Sequence, residues 1–496
     1  MKPVSHEFRV EESLWSLAVT VFVALVFLSG GISLPQQGVL LAQTSASLVV
    51  LTWALVRLAI HGFPTRLSVW GTGIAMASLG LILLQLLPLP PFVWQHFPVR
   101  ELVLRNFELL GEVPSWNALS LSPSATLADG IALLPALAAF MALLTVRYQT
   151  LLWMCGSLIC CAIIGVGFAL LQHFHGADSG YYLYDSAGGI GVGTFNNRNF
   201  FAAQLYTSIP ILSAFAVAIQ KRLGIWPVLV VLGGVVYAGI ILVGLSLSAS
   251  RTGILLAMPA ILFAVMLAYS RSSGQQRFSA GTFGLLAVIF GFLVVGQSSM
   301  VGLLRLVQSD PLTDYRAVIS KNSLDLAYRL LPAGGGFGTF VPLYQLGETP
   351  ETLRPEYVNH AHNDWLELVI EGGIPAIILL LAFAVWLLAA ELRVWRYGQG
   401  GQTALFQRMA SLVVPLLLLH SFVDFPLRTP ALLTLFAACC GILCLKPEII
   451  RSRHTHQPKV SPQPKFAVPG EKQPFRRPQS GFGAVKTPPA DEGPVQ

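Results

Sequence analysis

Three groups of polar residues interrupt an otherwise apolar chain, and each combines side chains that handle phosphate or move protons. The first is G-T-F-N-N-R-N-F-F-A, Gly193 to Ala202. Asn196, Asn197, Arg198 and Asn199 crowd together where apolar residues resume, just after Gly188, Gly189, Gly191 and Gly193. Glycine lets backbone amides approach a ligand closely, a helix N-terminus favours anions, and a guanidinium is a planar fork for phosphate. A helix-capping asparagine beside an interfacial arginine accounts for the same residues without chemistry. The second group is S-L-S-A-S-R-T-G, Ser246 to Gly253, with Arg251 at the end of an apolar run and almost no polar loop to hydrate it. An ionisable residue at membrane depth is expensive and usually functional, although an arginine at a span end can also snorkel.

The third group is V-N-H-A-H-N-D-W-L-E-L-V-I-E-G-G-I-P, Val358 to Pro375. His360 and His362 precede a helical pattern in which Asp364, Glu367 and Glu371 share a face at spacings of three, four and seven. A histidine here could act as a general base near neutral pH, as a metal ligand, or as half of a structural pair. No H-E-x-x-H spacing accompanies it. Two arginines can hold a diphosphate through charge-assisted bonds, and a histidine can take the proton of an attacking hydroxyl. No nucleotide-binding loop is present, so a lipid-linked diphosphate suits the pattern better than a soluble nucleotide.

The elements that must position these groups are membrane spans. The chain has 496 residues, 54% of them apolar and 11% charged, with a mean hydropathy of +0.66. A soluble domain is about a quarter charged. Long unbroken apolar runs also exclude a barrel, whose strands alternate. Spans of roughly 20 residues fall near 13–33, 39–60, 68–88, 127–146, 149–171, 200–219, 226–247, 252–269, 279–297, 374–392, 404–422 and 429–446. The expected fold is therefore an all-α integral membrane protein of about 12 helices, with one large loop, 298–373, between spans nine and ten.

Lys2, Arg9, Arg66, Arg147, Lys221, Arg222, Arg271, Arg277, Arg393 and Arg396 fall on one side if the spans alternate. That side is then the cytoplasm, with both termini in it, and the three polar groups face the opposite compartment. The six cysteines lie in apolar runs without metal-ligand spacing and read as packing residues. The tail 447–496 holds ten of the 32 prolines and many Lys, Ser and Gln residues. It is expected to be disordered and cytoplasmic. The domain division is thus 1–446 as the membrane domain and 447–496 as a basic, proline-rich tail. No internal repeat is evident, which disfavours repeat-built transporters.

At these residues the sequence resembles the O-antigen ligase superfamily, which includes O-antigen polymerases and some protein O-oligosaccharyltransferases. The shared stretches are G-T-F-N-N-R-N-F-F-A, S-x-S-R-T-G and H-A-H-N-D-W-L-E-L-V-I-E-G-G. They also include D-Y-R-A-V-I-S-K-N-S-L-D-L-A with L-P-A-G-G-G-F-G-T-F, Asp314 to Phe340, and together they span roughly residues 190–395. The resemblance implies a metal-independent membrane glycosyltransferase without cofactor. It would move a glycan from undecaprenyl diphosphate to a glycan, lipid A-core or protein hydroxyl at the periplasmic face of the bacterial inner membrane. Its partners would be membrane lipids and these substrates, not nucleic acid. The family's essential histidine falls on His362 and its diphosphate-binding arginines on Arg198 and Arg251, with Arg316 a further candidate. Glu367 or Asp364 would orient the histidine, and His360, Asn363 and Asn199 would support it. Ligase-type transfer stands first, followed by polymerase and protein glycosylation. A solute transporter is disfavoured because the polar groups lie at one surface rather than at the midplane.

The charge asymmetry makes a topological prediction. A cysteine placed at Gln345 should react with a membrane-impermeant thiol reagent in cells whose inner membrane is intact. Reaction only after that membrane is breached would reverse the orientation.

Overall fold

The computed structural model describes residues 6–33, 36–184, 191–269, 311–348, 357–397 and 402–446, all within the unit Met1–Ile450. Its elements are α1 (His6–Ser29), α2 (Gln37–His61), α3 (Arg66–Leu86), α4 (Pro91–Trp94), α5 (Glu101–Leu110), α6 (Pro123–Ala132), α7 (Leu134–Leu143) and α8 (Tyr148–His175). There follow α9 (Arg198–Leu223), α10 (Pro227–Ser248), α11 (Arg251–Tyr269), α12 (Pro311–Leu330), α13 (Phe340–Gly347), α14 (Asp364–Tyr397), α15 (Gln402–His420) and α16 (Pro430–Leu443). A 3-10 turn, Pro426–Arg428, joins the last two helices. The strand pairing among the described residues is a two-residue antiparallel ladder, β1 (Pro88–Leu89) with β2 (Asn117–Ala118). The protein is accordingly all-α in architecture.

Nine helices among the described residues are long and apolar enough to cross a membrane, and two shorter apolar helices, Arg251–Leu267 and Pro430–Leu443, accompany them. The span expected at 279–297 and the tail 447–496 lie outside the described residues. The expected span 127–146 is Pro123–Leu143, one of the nine, with a turn at Leu133 between α6 and α7. The span expected at 374–392 is longer: it continues back to Asp364. Its first two turns carry three carboxylates that read as aqueous, yet all three are buried.

Burial separates central from peripheral helices. The apolar window of α15 is 78% buried and that of α9 61%, whereas α2, α3 and α14 are each 22% buried. The outer helices present large apolar side chains such as Ile60, Val236 and Leu381 to their surroundings. Such faces need a nonpolar solvent, which the acyl region of a bilayer supplies. The central helices carry polar side chains, several of which hydrogen-bond inside the protein. Gln407 donates to the Leu445 carbonyl, and Thr207 to that of Ala203. Satisfying them internally is required where no water is available.

One break in this regular pattern matters for the site. Gly373 in α14 adopts φ 60°, ψ −148°, so the helix loses its continuity there. The freed carbonyls of Ile370 and Glu371 accept from the amides of Gly335 and Gly336, both at 2.9 Å. Gln85 of α3 clamps the same place, donating to the Glu371 carbonyl at 2.9 Å and accepting from the Phe337 amide at 3.0 Å. The glycine run of 334–338 is thus stitched to the start of α14. A Cβ on Gly373 would lie 2.3 Å from the Pro332 carbonyl oxygen and 2.6 Å from the Gly334 nitrogen.

Gly373→Ala should therefore destabilise the purified protein by roughly 2–5 kcal/mol, combining left-handed strain with overpacking against backbone. Gly80→Ala, where a Cβ meets nothing within 4 Å, should be neutral or slightly stabilising. Thermal unfolding in detergent compares the two, and equal stability of both variants would refute the assignment.

Candidate active site

The three polar groups of the sequence converge through side chains of the nine-residue connection between α15 and α16. Asp424 is the junction. Its Oδ1 lies 3.1 Å from His362 Nδ1, and its Oδ2 accepts from Asn199 Nδ2 at 2.5 Å. Arg316 approaches the same carboxylate at 3.7 Å and donates to the Val423 carbonyl at 3.4 Å. The amide oxygen of Asn199 in turn accepts from Ser250 Oγ at 2.7 Å. Asn199 thereby ties the start of α9 to the start of α11. Arg198 immediately precedes Asn199 and Arg251 immediately follows Ser250, so both guanidiniums branch one residue from this link. Arg198 is half-buried and Arg251 exposed.

Local chemistry explains the geometry. Asn197 caps α9, accepting from the Asn199 amide at 2.8 Å. Ser250 accepts from the Gly253 amide at 3.1 Å at the start of α11. Asn363 begins α14, with its side chain accepting from Leu366 N at 3.1 Å. His362, just before that cap, has φ 50°. This left-handed conformation is uncommon outside glycine and tolerated by histidine better than by bulkier residues. It turns the His362 ring out of the line of α14 and toward Asp424.

The second half of the site is a buried guanidinium. Arg428 NH2 donates to Glu371 Oε2 at 2.7 Å, and the Arg428 guanidinium lies 3.5 Å from Glu367, 3.8 Å from Asp364 and 3.8 Å from Asp129 of α6. Glu367 also pairs with His360 Nδ1 at 2.7 Å and accepts from the Ala361 amide at 2.8 Å. Asp364 accepts from Ser421 Oγ at 2.7 Å and from the Leu427 amide at 3.3 Å. Phe425 packs between the histidines, its ring centroid 4.1 Å from that of His360 and 5.1 Å from that of His362.

The expected orienting partners of His362 need correction. Neither Glu367 nor Asp364 contacts it among the described bonds; Asp424 does. The three acids of α14 point together toward Arg428, as their spacing on one helical face requires, while His362 precedes the helix and faces another connection. Asp424 and Arg428 were the residues missed. The available signal was an Asp and an Arg within a short link between two apolar helices, where ionisable groups are costly.

Electrostatics follow from these contacts. Burial alone would raise the Asp424 carboxyl, but the hydrogen bond and charge of His362, with Arg316 and His420 nearby, hold it well below the usual carboxylate range. Burial would likewise lower Arg428, yet the carboxylates of Glu367, Glu371, Asp129 and Asp364 raise it well above its ordinary value. Among the described residues no group of three or more His, Cys, Asp or Glu side chains is arranged to hold a metal ion. A cavity of about 300 Å³ opens beside the Arg428 cluster. Asp129, Asp364, Ser421 and Arg428 form its polar end, and Ile82, Leu379 and Phe383 are among its apolar walls.

Fold and site define a multi-pass, all-α membrane protein with a histidine–carboxylate pair among helix ends. Residues 236–381 match the family model described as O-Antigen ligase, which supports a place in the O-antigen ligase superfamily. That family is enzymatic, of the ligase and polymerase glycosyltransferase type acting in polysaccharide biosynthesis. The matched stretch contains Arg251, Arg316, His360 and His362; Arg198, Asp424 and Arg428 lie outside it. No curated protein matches the chain significantly.

The depressed Asp424 carboxyl has a pH consequence. The folded state binds its proton less tightly than the unfolded chain, so its stabilisation is present above about pH 4 and lost as the pH falls further. The stability gap between wild type and Asp424→Asn should be full at pH 7 and narrow below pH 4. A gap that stays constant from pH 7 to pH 3 in thermal unfolding would contradict this.

Proposed function

We propose that the protein transfers a glycan from undecaprenyl diphosphate to an acceptor hydroxyl at the periplasmic face of the bacterial inner membrane. The observation that carries the reading is the His362–Asp424 pair, joined through Asn199 to the helix starts that bear Arg198 and Arg251. With Nδ1–H donated to Asp424, the imidazole keeps Nε2 as an acceptor. That nitrogen takes the proton of the acceptor hydroxyl as its oxygen attacks the anomeric carbon. The bond from that carbon to the diphosphate oxygen breaks, and the electron pair leaves with the diphosphate. Arg198, Arg251 and Arg316 stabilise the charge that develops on it. Asp424 fixes the tautomer and compensates the imidazolium, as a carboxylate does behind other catalytic histidines. Glu367 and Arg428 hold His360 and the turn before α14. The apolar cavity supports the reading, because both substrates of such a transfer are lipid-anchored. No step in this scheme requires a metal ion or other cofactor.

Ligase-type transfer of a finished chain stands ahead of polymerisation, on the form of the histidine motif. In the proposed topology both termini are cytoplasmic and 298–373 is periplasmic.

His362→Ala should abolish transfer, and Asp424→Asn should lower it by about 10²–10⁴-fold. Arg251→Lys should lose most activity, because lysine keeps the charge without the fork. Each variant should still insert and accumulate. Near-normal transfer by Arg251→Lys would reduce Arg251 to an anchor. In a deletion strain, long polymerised chains should accumulate on the lipid carrier. Accumulation of single repeat units would instead establish a polymerase.

A further inference from the structure

We propose that the cavity beside Arg428 is the acceptor's site, and that it takes a lipid-anchored acceptor whose reacting end is an uncharged, hydroxyl-bearing sugar. This rests on the glycan-transfer reading and adds to it where each substrate enters.

The cavity walls come from α3, α6, α14, α15, α16 and their connections. None of the described lining residues belongs to α9, α11 or α12, the helices that carry Arg198, Arg251 and Arg316. The two regions are therefore built from different helices. On α3 the cavity extends from Ile74 to Ile82, about 12 Å along the helix. Its volume of about 300 Å³ is at the lower end of the roughly 300–1,000 Å³ usual for ligand sites. It has room for part of a lipid tail below a polar head.

Charge decides which head. The polar end holds a single guanidinium, and that guanidinium faces Asp129, Asp364, Glu367 and Glu371. Glu367 also faces His360 Nδ1 at 2.7 Å, so Arg428 and His360 together face four carboxyls, and two ionised carboxylates cancel them even when His360 is protonated. A diphosphate needs surplus positive charge when it leaves water, and none is offered there. Carboxyl oxygens and the Ser421 hydroxyl suit the hydroxyl groups of a sugar. Neither His362 nor Asp424 lines the cavity, but this end lies close to both along the chain. Asp364 is two residues after His362, and Ser421 is three before Asp424. The arginines of α9, α11 and α12 remain for the diphosphate of the donor. Charge thus sorts two lipid-linked substrates that differ at the headgroup, and it selects against an acceptor phosphorylated at its reacting end.

Native mass spectrometry of the full-length protein can test this with three probes: dodecyl glucoside, dodecyl phosphate and farnesyl diphosphate. Leu379→Trp and Ser78→Phe fill the cavity from two different walls, so misfolding of one leaves the other. Wild type should bind the glucoside at least tenfold more tightly than the phosphate of equal chain length. Either cavity-filling variant should weaken glucoside binding at least tenfold and leave farnesyl diphosphate within twofold. The double variant Arg251→Gln, Arg316→Gln should do the reverse. Loss of farnesyl diphosphate with retention of the glucoside in the cavity-filling variants would overturn the inference and assign the cavity to the donor's tail. Glucoside binding unchanged in both variants would also overturn it. Failure of wild type to bind farnesyl diphosphate would count against the transfer reading, while the glucoside comparison would still decide the cavity.

Discussion

A guanidinium enclosed by four carboxyl groups is the constraint around which the site is arranged. Arg428 reaches α6 through Asp129 and the first two turns of α14 through Asp364, Glu367 and Glu371. Buried charges of this kind are costly to desolvate, and removing one partner from such a set typically costs about 3–5 kcal/mol. The acids of α14 are consequently held to one rotational setting of the helix. That setting places His360 against Glu367 and starts the helix at Asn363, which leaves His362 in the turn before it. The connection carrying Arg428 also carries Asp424, four residues earlier. The same nine residues therefore position both the histidine motif and the carboxylate it faces.

The break at Gly373 makes this arrangement compatible with a membrane helix. A continuous α14 would bond the Ile370 carbonyl to the Ile374 amide, whereas the Glu371 carbonyl has no helical donor because Pro375 lacks an N–H. The break hands both carbonyls to Gly335 and Gly336, and Glu371 Oε1 accepts from the Gly338 amide at 2.9 Å. The polar segment of α14 is thus enclosed by backbone donors, while the remainder presents Ile378, Leu381 and Val385 outward. One helix serves two solvents because its hydrogen-bonding changes at one glycine.

The site also has an internal division of charge. Asp424 gathers an imidazole, an amide and a guanidinium, whereas Arg428 gathers carboxyl groups. A donor that loses a diphosphate and an acceptor that loses only a proton make opposite electrostatic demands. In the proposed reading the Asp424 half, with Asn199 of α9 and Arg316 of α12, meets the first demand, and the Arg428 half, with Asp129 of α6 and the acids of α14, meets the second.

Membrane character, the positions of most helices and the three polar groups were legible in the amino-acid order, because apolar runs and glycine- or asparagine-rich caps are local signals. The common face of Asp364, Glu367 and Glu371 was legible as well, since helical spacing alone dictates it. The start of the span at Asp364 was not, because three acids in eight residues signal water unless a buried cation is known to meet them. The partner of His362 was equally hidden. Asp424 lies 62 residues away across a complete helical hairpin, and no periodicity links the two. Only packing of α14 against the α15–α16 connection decides that His362 faces Asp424, that Glu367 belongs to His360, and that Arg428 balances the rest.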